Sequence, residues 1–237
     1  MEYRHLQWDS DFFKFKIAEI KSANYFEPES LTQIVDKLKT DGYRLVYLYV
    51  DPADVSTNEL ALAKKWLLAD EKITYALDLK GIPDKNESDI STYSYGYPND
   101  ELMSLAVQSG EWSRFKTDKN FKPDDYRVLY EEWIKKSVQG EMSDVVLVHE
   151  SGGRTDGMIT LAVKDNIGII GLIGVDESAR GQGVGTKLIN SVISHCLIKG
   201  IKRIDVVTQK QNVAACKFYE KNNFKINNIV NLYHLWL

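Results

Sequence analysis

The sequence is poor in cysteine, and this limits the kinds of site that it can build. Two cysteines, Cys196 and Cys216, occur among 237 residues, and both fall in the apolar rhythm of segments predicted as helices. Such a pair supplies neither the framework of a disulfide-rich domain nor the ligand set of a structural zinc site. We therefore expect two packed free thiols and no metal cofactor.

The sequence also lacks an excess of positive charge and long apolar runs. The formal net charge is −4 and no cluster of lysine and arginine stands out, so there is no electrostatic footprint for nucleic acid. No apolar run approaches the length of a membrane span. Residues 1–9 lack the apolar core of a signal peptide. We expect a cytoplasmic protein that binds neither nucleic acid nor a membrane.

The composition is that of an ordinary globular protein, with 43% hydrophobic and 27% charged residues. In the first half, β-forming runs alternate with helical patterns, which predicts a small α/β domain over residues 1–85. The predicted strands are 16–20, 44–50 and 73–79, and the predicted helices are 29–39 and 58–68. The polar, turn-rich stretch 81–89 predicts a linker to a second domain.

The second domain, predicted over residues 90–237, has a different order of elements. Two helices, at 100–109 and 126–138, precede three antiparallel strands that are joined by turns at 151–156 and 165–166. A helix, a strand, a helix and a last strand follow. The predicted strands are 144–150, 157–163, 167–175, 203–208 and 230–236, and the later helices are 185–199 and 213–221. This order predicts an α/β domain with a mixed sheet.

A glycine-rich loop follows the apolar strand that ends at Val175. In Arg180-Gly-Gln-Gly-Val-Gly185 the glycines permit backbone conformations with positive φ and a close approach to a ligand. Apolar residues at helical spacing come next, so the loop lies at a helix N-terminus. There the unpaired N–H groups and the helix dipole favour a phosphate. Arg180 adds a positive charge at the start of the loop.

Two common phosphate-binding motifs do not fit this loop. A P-loop requires a lysine directly before a serine or threonine, whereas Lys187 follows Thr186. A Rossmann fingerprint requires Gly-x-Gly-x-x-Gly, whereas the glycines here are Gly181, Gly183 and Gly185. The loop could also be an ordinary glycine-rich surface turn. That interpretation would make the preceding strand, the following helix and the position of Arg180 a coincidence.

A third pattern, Arg/Gln-x-x-Gly-x-Gly/Ala after a strand, fits the stretch as it stands. It resembles the pyrophosphate-binding loop of the GNAT N-acetyltransferase superfamily, and the order of elements over residues 90–237 is similar to the GNAT order. The resemblance implies the GNAT acyl-CoA acyltransferase fold, preceded here by the small α/β domain, with acetyl-CoA as co-substrate. It implies that acetyl-CoA contacts Ile173, Val175, Arg180, Gly181, Gly183, Val184, Gly185 and Thr186.

A second stretch, Asn212-Val-Ala-Ala-Cys-Lys-Phe-Tyr-Glu-Lys-Asn-Asn-Phe224, resembles the GNAT signature Asn-x-x-Ala-x-x-Phe/Tyr-Tyr-Glu-Lys-x-Gly-Phe. The resemblance implies that Asn212 contacts acetyl-CoA and that Tyr219 is the general acid that protonates the departing thiolate. A phenol with a pKa of about 10 can donate to a thiolate whose acid has a pKa of about 8 to 9. Taken singly, Asn212 would be a helix N-cap and Tyr219 a packed aromatic. Asn223 replaces the usual glycine, and asparagine tolerates the left-handed conformation.

Direct transfer requires a neutral amine beside the thioester and a backbone N–H that polarises the carbonyl oxygen. We expect Val175, at the end of the apolar strand, to provide that N–H. No spacing identifies a general base. His149 and His234 lie on predicted strands, and we expect both to be structural.

The acceptor is indicated by weaker similarities, which lie partly in the N-terminal segment. Trp8-Asp-x-x-Phe12-Phe13, Ser113-Arg114-Phe115 and Tyr130-x-x-Trp133-Ile134 are similar to stretches of the dTDP-fucosamine acetyltransferases, which acetylate the 4-amino group of a nucleotide-linked deoxysugar. The similarity implies a small-molecule amine acceptor, such as a dTDP-aminosugar, near Ser113, Arg114 and Phe115. Arg114 is suited to bidentate pairing with a diphosphate and Phe115 to stacking on a sugar or base. It is equally open that Arg114 is a solvated loop charge and that Phe115 is a packed core residue.

Other functions stay open at this point. The acceptor can be another primary amine, such as an amino acid, a polyamine, an aminoglycoside or a protein N-terminus. The chain can also be a non-catalytic acyl-CoA sensor, although the retention of Arg180, the glycines, Asn212 and Tyr219 argues against that function. A homodimer is compatible with every one of these functions.

Overall fold

The computed structural model describes residues 3–21, 25–85 and 87–237, which contain both strands and helices. The strands are β1 (Tyr3–His5), β2 (Ile17–Ile20), β3 (Leu45–Val50), β4 (Leu67–Asp78), β5 (Ile90–Thr92), β6 (Val145–Ser151), β7 (Arg154–Lys164), β8 (Ile167–Val175), β9 (Arg203–Gln209) and β10 (Lys225–Trp236). The α-helices are α1 (Gln7–Phe13), α2 (Pro28–Thr40), α3 (Val55–Ala63), α4 (Asp100–Ser109), α5 (Arg114–Thr117), α6 (Asp125–Val138), α7 (Val184–Ile198) and α8 (Val213–Lys221), and Glu177–Ala179 form a 3-10 turn. Across these ranges no helix has both the length and the apolar character needed to cross a membrane.

The chain forms two compact units, and strands β4 and β10 contribute residues to both. The first unit comprises Met1–Ile73, Gln209–Gln211 and Asn228–Leu237. In its sheet, ordered β1-β2-β3-β10, the β2–β3 pair is parallel and the other pairs are antiparallel. Its core consists of Ala18, Ile20, Phe26, Leu31, Val35, Leu38, Val46, Leu48, Val50, Ala61, Tyr233 and Leu235.

A buried carboxylate organises the start of α3 in this unit. Asp54 is only 3% exposed, and its Oδ1 accepts hydrogen bonds from Thr57 N at 3.1 Å and Ser56 Oγ at 2.9 Å. Its Oδ2 accepts from Phe26 N at 3.1 Å. Burial on its own would raise the pKa of Asp54, but these hydrogen bonds favour the charged form and hold the pKa below its usual value.

Asp54→Ala is expected to lower the free energy of unfolding by about 1–2 kcal/mol, because it removes the N-cap of α3 and leaves two buried N–H groups without an acceptor. Since the folded pKa of Asp54 lies below its unfolded pKa, its contribution is complete above the unfolded pKa and is lost as pH falls through the folded one. Urea unfolding between pH 3 and 7 measures both effects. Asp36→Ala removes the same charge from an exposed position and serves as the control. Equal losses in the two variants would contradict the prediction.

The second unit comprises Thr74–Thr208 and Asn212–Asn227. Its sheet has the order β4-β9-β8-β7-β6-β5, with antiparallel pairs from β5 to β8 and a parallel pair between β8 and β9. The parallel pairing extends from Gly168↔Ile204 to Ile170↔Val206, although β8 continues to Val175. Beyond Ile170 the two strands therefore diverge.

A β-bulge accounts for this divergence. Gly171 and Leu172 of β8 together oppose Thr160 of β7, whose Oγ1 accepts a hydrogen bond from Leu172 N at 2.9 Å. An extra residue bends its strand and increases the local twist. It also reverses which residues face each side of the sheet. A Cβ atom at Gly168 would meet Cys196 of α7, whereas one at Gly174 would meet the backbone of Leu105 in α4.

The predicted class, α/β with a mixed sheet, is confirmed, and α4, β8 and α8 have the predicted bounds. The helix predicted at 58–68 is wrong at its C-terminal end, because Lys65 adopts φ 56° and β4 begins at Leu67. Strand β1 and helix α1 were not predicted. The division into two domains at residues 1–85 and 90–237 stays a prediction.

The stretch predicted as a linker, 81–89, contains no helix or strand among its described residues, but it is attached to α7. Ser194 Oγ contacts Asp84 and donates to Lys85 O at 3.0 Å, and Asn190 Nδ2 donates to Glu87 Oε1 at 2.6 Å. Asp89 forms an ion pair with Lys187. These partners lie at helical spacing along one face of α7, so the stretch is fastened along that helix, which its composition did not predict.

Candidate active site

The diverging end of β8 presents backbone donors. Leu172 N donates to Thr160 Oγ1 at 2.9 Å and Asp176 N donates to Asp156 O at 2.8 Å, so both N–H groups point toward β7. Successive N–H groups of an extended strand point to opposite edges. The N–H groups of Ile173 and Val175 therefore point to the edge that β9 has left, and they are available to a ligand lying between the strands.

The turn after β8 fixes the start of the glycine loop. Asp176 Oδ1 accepts from Ser178 N at 3.0 Å and caps the 3-10 turn. Arg180 Nε then donates to Val175 O at 3.1 Å, and its guanidinium also donates to Gln108 Oε1 of α4 at 3.1 Å. These two bonds hold the exposed charge of Arg180 beside the end of β8.

The N-terminus of α7 has donors without acceptors. Gly183, at φ 87°, is the N-cap and has no side chain with which to cap the helix. Lys187 N donates to Gly183 O at 3.1 Å, but within the described chain the N–H groups of Val184, Gly185 and Thr186 have no acceptor. Free N–H groups at the positive end of a helix dipole bind anions. The residues present therefore fit a pyrophosphate.

Gly185 brings α8 against this helix end. A Cβ atom at Gly185 would lie 2.9 Å from the ring of Phe218 and 3.8 Å from a methyl group of Val175. Only glycine allows this close packing without displacement of the ring. The end of β8, the loop and α8 therefore meet at Gly185.

Asn212 is the N-cap of α8. Its Oδ1 accepts a hydrogen bond from Ala215 N at 3.1 Å. Asn212 therefore has the N-cap role that was one of the two interpretations from the sequence. The cap does not use Nδ2, which remains a donor for a ligand at the same helix end. The contact of Asn212 with acetyl-CoA stays a prediction.

Tyr219 lies next to Phe218 in a buried aromatic cluster. Its ring is 3% exposed, with centroid distances of 5.4 Å to Phe218 and 5.7 Å to both Tyr75 and Phe224. Burial raises the pKa of Tyr219 above the usual tyrosine range, and the nearby Cys216 thiol adds to the rise. Tyr219 is therefore protonated at neutral pH, as a proton donor must be. Asn223 adopts φ 65°, the left-handed conformation expected in place of glycine.

Tyr75 also belongs to this cluster, and no sequence pattern indicated this. Tyr75 lies on β4, is 1% exposed, and donates from its hydroxyl to Glu220 Oε1 of α8 at 2.9 Å. Burial, Glu220 and Cys216 all raise its pKa above the usual range. The β-forming run 73–79 predicted a strand and nothing about the partner of Tyr75.

The three residues assigned to the acceptor lie around α5. Ser113 Oγ accepts from Phe115 N at 3.2 Å and caps that helix, and Phe115 packs edge-on against Phe121 at 5.4 Å. The Arg114 guanidinium lies over the ring of Phe115, 4.2 Å from its centroid. These contacts describe a helix cap and a packed ring. A role in acceptor binding stays a prediction.

The two strand histidines have partners within the fold. His149 Nδ1 lies 2.5 Å from Asp156 Oδ1, and Nε2 lies 3.4 Å from Asp89 Oδ2. His234, in the first unit, stacks on Tyr47 at 5.0 Å. Among residues 3–21, 25–85 and 87–237 no group of three or more histidine, cysteine, aspartate or glutamate side chains is placed to hold a metal ion.

Comparison with known sequences identifies relatives. The family model described as "Acetyltransferase (GNAT) family" matches residues 105–224, which include β8, the glycine loop and α8. The spore coat polysaccharide biosynthesis protein SpsD of Bacillus subtilis is 24% identical over 135 residues, or 57% of this chain. The chain spans less than half of that relative, because the alignment covers 46% of its length.

Solved structures with a similar fold include two that align with 99% of the chain. One is a GCN5-related N-acetyltransferase from Sphaerobacter thermophilus, with a TM-score of 0.61, 13% identity and 76% of its own length covered. The other is a functionally unknown conserved protein from Staphylococcus epidermidis, with a TM-score of 0.63, 12% identity and 90% of its length covered. At these identities the likeness concerns the fold alone.

Proposed function

Since the chain belongs to the acetyltransferase (GNAT) family, we propose that it transfers an acetyl group from acetyl-CoA directly to the 4-amino group of a nucleotide-linked deoxysugar. The observation that carries the proposal is the row of free donors that begins on β8 and continues into α7. The N–H groups of Ile173 and Val175 point to the gap beside β9, and those of Val184, Gly185 and Thr186 have no acceptor in the described chain. Such a row matches a ligand that carries amide groups and a pyrophosphate.

The donor site is assigned residue by residue. The N–H groups of Gly181, Gly183, Val184, Gly185 and Thr186 hold the pyrophosphate of acetyl-CoA, with Arg180 beside them as a positive charge. The N–H of Ile173 holds the amide arm, that of Val175 faces the thioester end, and Asn212 Nδ2 donates from the start of α8. When bound, acetyl-CoA supplies an activated acetyl thioester.

Two groups of the chain act on the reaction itself. The N–H of Val175 donates to the thioester carbonyl oxygen and stabilises the negative charge that develops there. Tyr219, kept protonated by burial, donates its hydroxyl proton to the departing sulfur. The attacking amine must be neutral, and no residue of the chain is assigned as its base.

Two observations support a sugar nucleotide as the acceptor. SpsD is named as a spore coat polysaccharide biosynthesis protein, which relates it to carbohydrate chemistry. The stretches around Trp8, Arg114 and Trp133 are similar to those of enzymes that act on dTDP-aminosugars. Arg114 would then pair with the diphosphate, near Ser113 and Phe115.

The proposal is tested by measuring thiol release from acetyl-CoA with dTDP-4-aminosugars, diamines, aminoglycosides, amino acids and a peptide with a free N-terminus. We expect turnover with the dTDP-4-aminosugars and at least tenfold lower kcat/KM with the other amines. Turnover with another amine but not with the sugars would contradict the acceptor class. Tight acetyl-CoA binding by calorimetry without turnover on any amine would indicate a sensor.

A further inference from the structure

The exposed backbone of β8 lies beneath a tryptophan that the proposed reaction has not used. Gly171, in the bulge, is the exposed residue of a strand whose other residues are buried or half-buried. A Cβ atom at Gly171 would lie 3.6 Å from both Cζ2 and Nε1 of Trp133 in α6. The edge of the indole therefore approaches the strand where β8 begins to leave β9.

Trp133 is held in this position by its neighbours. It is half-buried and stacks on Tyr130, one helical turn earlier, with a centroid distance of 5.7 Å and an interplanar angle of 29°. Tyr130 is 8% exposed and packs so closely on Gly110 that a Cβ atom there would lie 2.5 Å from its ring. A ring fixed in this way loses little conformational entropy on binding a ligand.

The indole of Trp133 also has an unused donor. Within the described chain its Nε1–H has no hydrogen-bond acceptor, and the atom retains access to solvent. Indole N–H groups in partly buried positions usually find a partner. A half-buried ring with a free N–H is suited to a ligand that has an apolar face and an oxygen acceptor at its edge.

The location of Trp133 matches the place where an acceptor must enter. Gly185 and Phe218 pack at Val175 on the α7 side of the sheet, so the donor loop lies on that side. Trp133 lies on the opposite side, with α4 and α6. Ile173 lies two positions beyond Gly171, or about 7 Å along an extended strand, so a sugar ring with its substituents can reach from one to the other.

We propose that Trp133 is a specificity-determining residue of the acceptor site. Its indole stacks on the apolar face of the acceptor's sugar ring and donates Nε1–H to an oxygen of that ring, which directs the amine toward the thioester carbonyl carbon that is held beside the N–H of Val175. The proposal rests on the proposed function and adds the feature by which the enzyme selects a pyranosyl amine over an acyclic one.

The test compares Trp133→Leu and Trp133→Phe with wild type, using the same full-length chain and a dTDP-4-aminosugar. Trp133→Leu removes both the stacking ring and the donor, so KM for the aminosugar should rise at least tenfold while the Kd for acetyl-CoA stays within twofold. Trp133→Phe retains the ring and should raise KM by less. Trp112→Leu, at a tryptophan that is 47% exposed on the loop before α5, is the control and should match wild type.

The outcomes separate this inference from the proposed function. Wild-type turnover of the aminosugar with an unchanged KM in Trp133→Leu would overturn the role of Trp133 and leave the reaction intact. Absence of wild-type turnover on any aminosugar, with turnover on an acyclic amine, would overturn both. If Trp133→Leu fails to bind acetyl-CoA, Trp133→Phe decides the matter: a rise in acceptor KM with normal acetyl-CoA affinity supports the role, and an unchanged KM overturns it.

Discussion

Tyr219→Phe is expected to lower kcat by about a hundredfold to a thousandfold, while the Kd for acetyl-CoA changes by less than twofold. The substitution removes only the hydroxyl group and retains the ring contacts with Tyr75, Phe218 and Phe224. Loss of the proton donor leaves the thiolate to depart unprotonated, which raises the barrier of the chemical step. Steady-state kinetics with the accepted amine and calorimetry with acetyl-CoA measure the two quantities.

Tyr75→Phe is the matched control for this variant. It removes a second buried hydroxyl whose ring lies 5.7 Å from that of Tyr219, but the lost partner, Glu220, is exposed and can be hydrated. We expect kcat to remain within about threefold of wild type. Equal losses in the two variants would mean that the cluster acts by packing, and full activity in Tyr219→Phe would remove Tyr219 from the acid role.

The pH profile provides an independent check on the state of Tyr219. Because burial raises its pKa, the donating form persists to a higher pH than for an exposed tyrosine. The kcat of wild type should therefore not fall between pH 8 and 10 through loss of this proton. A decline there that Tyr219→Phe abolishes would show that the phenol titrates in its ordinary range.

Gly183→Val is expected to weaken acetyl-CoA binding by about a hundredfold. In the described chain a Cβ atom at Gly183 would meet nothing within 4 Å, so the added side chain would occupy open space at the N-cap of the helix. There it would block the N–H groups of Val184 and Gly185, and the loss of two charge-assisted hydrogen bonds accounts for an effect of this size. Calorimetry with acetyl-CoA measures the affinity directly.

Gly200→Val separates the steric effect from backbone strain. Gly200 follows the C-terminal end of the same helix, has φ 70°, and also has nothing within 4 Å of its Cβ position. Both variants place a β-branched residue at positive φ and should lose about 1–2 kcal/mol of stability. Only Gly183→Val should lose affinity. Normal acetyl-CoA binding by Gly183→Val would contradict the assignment of the loop.

The parts of this fold that were predictable have local causes. Apolar residues at helical spacing gave α4 and α8, a continuous apolar run gave β8, and the glycines at 181, 183 and 185 gave the turn between β8 and α7. In each case neighbouring residues determine the conformation, so the sequence carries the information within a few positions. The family resemblance depends on the same local stretches, which is why it was visible without coordinates.

The parts that were not predictable depend on distant contacts. Tyr75 and Glu220 are separated by 145 positions, so no periodicity in either segment relates them. The bulge at Gly171 and Leu172 depends on the hydroxyl of Thr160, and alternation along β8 continues through it unchanged. The packing of Trp133 over Gly171 follows from that bulge and was equally hidden. The acceptor side of the site was therefore less accessible to sequence reasoning than the donor side.

The extra residue in β8 has a consequence for how such a site can be gained or lost. Two parallel strands with free donors and acceptors would normally continue to pair until one of them ends, and β9 extends to Gln209, beyond its last partner Val206. The extra residue prevents that pairing and leaves a backbone edge whose donors are available to a ligand. The proposed donor site therefore depends on interrupted strand pairing. Deletion of one residue from the bulge would allow β8 and β9 to pair along their whole length. The space between the two strands would then be lost, although every side chain of the donor loop was retained.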